Sequence, residues 1–77
     1  MIKVEFTIEP FVEGEPPARV TSTVAALESL GCVVEIGPFG SSFVVDENVV
    51  GEALSVLVTT AYAHGATHVT VGTQAVD

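Results

Sequence analysis

"CVVEIGPFGSSFVVD", residues 32 to 46, decides the fold. In "CVVEIGPF" Val34 and Ile36 alternate against Glu35, the period of a strand buried on one face. "GSSFVVD" reads as a returning strand, and the tight connection bounded by Gly37 and Gly40 makes the two a hairpin. Neither flank continues the alternation. Each turns instead into a segment of helical period, so the hairpin stands between two helices.

Upstream, residues 17 to 30 carry Val20, Val24, Leu27 and Leu30 as one apolar stripe. Pro16 and Pro17 suit its first turn, where a missing N–H costs nothing, and Gly31 falls where a left-handed cap ends a helix. Downstream, Asp46 is placed to cap a second helix over residues 47 to 64. Val50, Ala53, Leu54, Leu57, Val58 and Ala61 form its stripe, and Gly65 its cap.

A strand lies beyond each helix. In "IKVEFTIEPF", residues 2 to 11, Ile2, Val4, Phe6 and Ile8 alternate with Lys3, Glu5, Thr7 and Glu9. "THVTVGTQ", residues 67 to 74, places Val69 and Val71 on the core side. The order is strand, helix, strand, strand, helix, strand. The economical solution is an α+β, ferredoxin-like unit: a four-stranded antiparallel sheet with both helices on one face. Residues 1–77 read as a single domain of this kind.

So short a chain buries only about 60% of the surface exposed when unfolded, so association of copies is a natural way to add buried area. Lys3 and Arg19 are the only fixed cations against ten carboxylates, a formal net charge of -8. Such a surface repels nucleic acid, anionic membranes and phosphorylated substrates, and attracts cations. Solubility, or life at high salt, is an equally good reason for the acidity. The single cysteine, Cys32, permits no internal disulfide and fits a cytoplasmic location. The N-terminus lacks the apolar core of a signal peptide, and no run reaches the length of a membrane span.

Alternation puts Glu5, Thr7, Glu9, Glu35, His68 and Thr70 on the sheet face away from the helices. A solvated polar face is the plain reading; a face partly covered by another subunit is its rival. Glu5, Glu9 and His68 fall where neighbouring strands bring zinc or manganese ligands together, without the spacing such sites usually show. No serine–histidine–acid spacing, phosphate cradle or CxxC pair is present, and no catalytic residue or resident cofactor is expected. What remains is non-catalytic binding of a small molecule. Phe39 or Phe11 offers a ring face to a flat heterocycle, Glu9 or Glu35 a partner for an amine or cation, and Thr7, Ser41 and Ser42 hydroxyls to orient it.

The stretches "VEFTIEPF", "ALESLG", "EIGPFGSSFVVD" and "AHGATHVTVG" together resemble the small thiamine-binding proteins, the YkoF-like group, over nearly the whole chain. In that group the hairpin reads proline, a large apolar residue, glycine and threonine. Here the run is Pro38, Phe39, Gly40 and Ser41, which keeps the hydroxyl and loses a methyl. The resemblance implies a ferredoxin-like fold, assembly as a homodimer or homotetramer through the sheets, and thiamine or its aminopyrimidine part as ligand. By position it implies a site of Thr7, Glu9, Glu35, Phe39, Gly40, Ser41 and Ser42, with Phe11 a weaker addition. An assembly protein without a small ligand is the alternative, and a carboxylate–histidine metal protein the third reading.

Overall fold

The computed structural model describes residues 1–77. Six elements follow in order: β1 (Ile2–Glu9), α1 (Ala18–Ser29), β2 (Glu35–Gly37), β3 (Gly40–Val45), α2 (Val50–Ala63) and β4 (His68–Ala75). The strands form one sheet in the order β2-β3-β1-β4, every neighbouring pair antiparallel. Each helix joins strands that are not sheet neighbours: α1 leads past β3 to β2, and α2 past β1 to β4. This is the ferredoxin-like α+β architecture expected from the element order.

Val4, Phe6 and Ile8 of β1 are buried, while Glu5, Thr7 and Glu9 are exposed. Phe43 and Val45 join them from β3, Leu27 from α1, and Ala53, Leu57 and Ala61 from α2, in one core. Both helices therefore cover the same face. Phe6 and Phe43 meet edge to face, with ring centroids 6.0 Å apart.

The helix faces depart in two places from the expected stripes. In α1 the fully buried residues are Thr23 and Leu27, while Val24 turns aside from the core. Thr23 is tolerated there because its hydroxyl donates to the Arg19 carbonyl at 2.7 Å. In α2, Val58 is exposed, and Val56 packs against the core instead.

Both helices end alike. Gly31 and Gly65 take positive φ of 89° and 96°, and the three residues beyond each helix donate back into its last turn. Cys32 N–H reaches the Leu27 carbonyl at 3.1 Å, and Ala66 N–H the Ala61 carbonyl at 3.0 Å. This cap also explains why β2 is shorter than the alternation suggests. The Cys32 amide is committed to the helix end, and pairing begins only at Glu35. Asp46 does cap a turn, accepting from Asn48 N–H at 2.8 Å, but regular helix starts later, at Val50. No helix is long and apolar enough to cross a membrane.

Candidate functional site

β3 runs beside β1 only from Val45 opposite Ile2 to Ser41 opposite Phe6. At Gly40 the chain leaves the pairing and turns through Phe39 and Pro38 into β2. β1 continues to Glu9, where a cis bond to Pro10 leads into the loop before α1. The hairpin tip and this loop therefore project from the same end of the sheet. Arg19, at the start of α1, donates through its guanidinium to the Pro10 carbonyl and ties the loop to the helix.

Between hairpin and loop lies an open cleft of about 730 Å³. Phe11, Val12 and Glu13 line it from the loop, Ile36, Pro38 and Phe39 from the hairpin, and Phe6 and Ile8 from the core. Phe39 is 92% exposed and Phe11 72%. Two aromatic rings so open to water in so small a chain mark a surface suited to an apolar or aromatic partner.

Ser41 occupies the inner part of the cleft, only 9% exposed. Its hydroxyl makes no hydrogen bond with another protein group. No wholly shielded side-chain polar atom lacks a partner, so this hydroxyl keeps access to the cleft. The charged residues on the walls are Glu9 and Glu13, and no lysine or arginine lines the cleft. Its charge favours a cation or a donor-rich group.

A second cavity, about 530 Å³, opens on the other face of the sheet among Glu5, Thr7, Ser42, Thr70 and Gly72. Phe39 and Gly40 border both spaces.

The structure thus brings Thr7, Phe39, Gly40 and Ser41 to both cavities, Glu9 and Phe11 to the cleft, and Ser42 to the open-face cavity alone. Ser41 and Ser42 sit on opposite faces, as alternation demands, so one pocket does not use both side chains in the same way. Glu35 lines neither cavity. It stands opposite Ser42 on the edge strand, one strand too far out. Ile36 was expected to face the core. It lies on that face, opposite Ser41, yet is exposed and becomes part of the cleft wall. Nothing in a strand's alternation distinguishes a residue under a helix from one just beyond it.

His68 Nδ1 lies 3.8 Å from a Glu9 carboxylate oxygen and 3.1 Å from the Thr67 hydroxyl. No group of three histidine, cysteine, aspartate or glutamate side chains gathers as a metal site, so Glu5 does not complete one with this pair. Burial pushes the Cys32 thiol above its ordinary value, away from the reactive thiolate.

No protein-family model and no curated protein matches the chain. Among solved structures, protein SP2199 from Streptococcus pneumoniae aligns with a TM-score of 0.69 at 16% identity, over 95% of this chain and 81% of that one. The domain of unknown function DUF77 from Bacillus cereus aligns with a TM-score of 0.65 at 14% identity, over 95% of this chain and 71% of that one. At such identities the likeness is one of fold: the chain shares the βαββαβ architecture with both.

Proposed function

We propose that this chain is a non-catalytic binding module for a flat, cationic nitrogen heterocycle, namely thiamine or its aminopyrimidine (hydroxymethylpyrimidine) moiety. The observation that carries the reading is the cleft itself. Two exposed phenylalanines, Phe11 and Phe39, border it, and every charged residue on its walls is a carboxylate. Phe39 stacks on the ring of the ligand, and a thiazolium gains further from the electron-rich ring face. A carboxylate at the cleft wall accepts from an exocyclic amine in a charge-assisted bond. The shielded Ser41 hydroxyl takes a ring nitrogen or a second amine hydrogen.

The resemblance to the small thiamine-binding proteins, carried in part by the first strand and the hairpin that line the cleft, suggests the same ligand class. In this reading the protein holds its ligand without a resident cofactor or metal.

The test is a thermal melt of the protein alone, with thiamine, and with hydroxymethylpyrimidine. Ligand at 100 times its dissociation constant adds about 2.7 kcal/mol to the folded state. At about 4–8 °C per kcal/mol for a domain this small, the shift is large. It is expected to shrink in Phe39→Ala while the unliganded melt stays put. No shift with either compound removes the ligand assignment and leaves an assembly protein as the better account.

A further inference from the structure

Four polar side chains border the open-face cavity, and none of them is used inside the chain. The register sets Glu5 of β1 between Ser42 of β3 and Gly72 of β4, and Thr7 beside Thr70. Cross-strand partners of this kind stand about 4.5–5.5 Å apart at Cβ, and alternation turns all four side chains to one face. The hydroxyls of Thr7, Ser42 and Thr70 make no hydrogen bond with another protein group, and the Glu5 carboxylate accepts none. Glu5 enters no ion pair either, whereas Glu9, the next acid along the same face, lies against His68 at 3.8 Å.

Gly72 makes the room. A β-carbon there would meet nothing within 4 Å, and its φ is not positive, so neither crowding nor backbone conformation requires glycine. A glycine inside a strand weakens it, and one reason to keep it is close approach of a ligand to the backbone. Here it leaves Glu5 uncovered on the β4 side.

The walls select the ligand. A carboxylate only accepts, so the ligand must donate to it, and no lysine or arginine on the walls opposes a positive donor. Hydroxyls both donate and accept, which matches hydroxyl groups on the ligand. One carboxylate with no second acid, histidine or cysteine gathered beside it is a poor cage for a metal ion. The volume, about 530 Å³, is that of a site for a small organic molecule. Phe39 at the border offers an aromatic surface to an ammonium group or to the C–H face of a saturated ring.

We propose that the open-face cavity is a second binding site, separate from the cleft, for a small hydroxylated amine, of which an amino sugar is the plainest case. The ammonium group pairs with Glu5. Ligand hydroxyls exchange hydrogen bonds with Thr7, Ser42 and Thr70, and the carbon skeleton lies over Gly72 with one edge against Phe39. The proposal does not rest on the heterocycle reading of the cleft, although the two spaces meet at Phe39 and Gly40.

Glucosamine is the probe, and glucose, which lacks the ammonium group, its control. In an NMR titration glucosamine is expected to move the amide signals of Thr7, Ser42, Thr70 and Gly72. It should bind at least about tenfold tighter than glucose, the worth of one hydrogen bond to a charged group. Glu5→Gln is expected to bring the two sugars level. Gly72→Val fills the cavity with a side chain suited to a strand, and is expected to abolish glucosamine binding while circular dichroism shows the fold intact. Thr70→Val keeps the shape and removes one hydroxyl, and it should weaken glucosamine even if the glycine variant fails to fold. Failure of thiamine to bind the wild type would bear on the cleft alone. Absence of shifts with glucosamine, equal affinity for the two sugars, or undiminished binding in folded Gly72→Val would each overturn the proposal. So would a response to calcium or magnesium that vanishes in Glu5→Gln, which would make the cavity a cation site.

Discussion

Gly40 is pressed so closely against β1 that a β-carbon there would lie 3.2 Å from Cγ2 of Thr7 and 3.1 Å from the Phe6 carbonyl oxygen. The hairpin leaves the sheet over the backbone of its neighbour, and glycine is what lets it do so. Gly40→Ala forces the hairpin outward by a few tenths of an ångström. The expected cost is about 1–3 kcal/mol in urea unfolding, with weakened binding, since Gly40 borders both cavities.

Phe39 gives the opposite signature. At 92% exposed it contributes almost nothing to the core, so Phe39→Ala should alter stability by no more than about 0.5 kcal/mol. Affinity for the heterocycle, measured by calorimetry, is expected to fall at least about tenfold, equivalent to 1.4 kcal/mol. A variant that loses fold and binding together would mark the ring as structural.

Leu57 marks the stability side of the same division. It is fully buried between Ala53 and Ala61 on the inner face of α2. Leu57→Ala leaves a cavity that these small neighbours fill poorly. Chemical denaturation should report a loss of about 2–5 kcal/mol, and the cleft should still bind ligand under conditions where the variant is folded.

Arg19 acts on the cleft from behind, through the Pro10 carbonyl. Arg19→Met keeps much of the stem and removes both donors. The loop from Phe11 to Pro17 is expected to loosen, which chymotrypsin reads as faster cleavage after Phe11, and ligand affinity to drop with little change in melting temperature.

Cys32 supplies a pH dependence. Burial raises its thiol above the ordinary value of 9.0. As pH climbs past that value the unfolded chain loses the proton first, while the folded chain keeps it. The unfolded state then binds fewer protons, so stability falls with rising pH through this window and is fully retained below it. Unfolding at pH 8 and pH 10 should show a larger alkaline loss in the wild type than in Cys32→Ala. An aromatic disulfide reagent should label the native thiol slowly and the denatured thiol at once.

Much of this molecule is readable along the chain. The period-2 runs, the stripe through Leu27 and the stripe through Leu57 are local consequences of which side chains avoid water. Gly31 and Gly65 end the two helices because only a residue without a β-carbon adopts their backbone geometry cheaply. Those signals specify the order of elements, and the order leaves few sheets to choose from. The aromatic character of the hairpin tip was legible too, since Phe39 stands between glycine and proline neighbours where no core can form.

The cleft itself is a product of tertiary structure. Its two walls are about twenty-five residues apart in the chain, and they meet only because β1 outruns β3 at one end of the sheet. That same end decides whether a residue of the right parity is buried or lines a cavity: Ile36 and Ser41 share a face with Phe43, yet the helices cover only Phe43 fully. It also removes Glu35 from the site, because the register carries it to the outer strand. Periodicity tells which face a side chain takes. How far the opposing layer extends over that face depends on contacts between distant segments, and only the folded chain decides it.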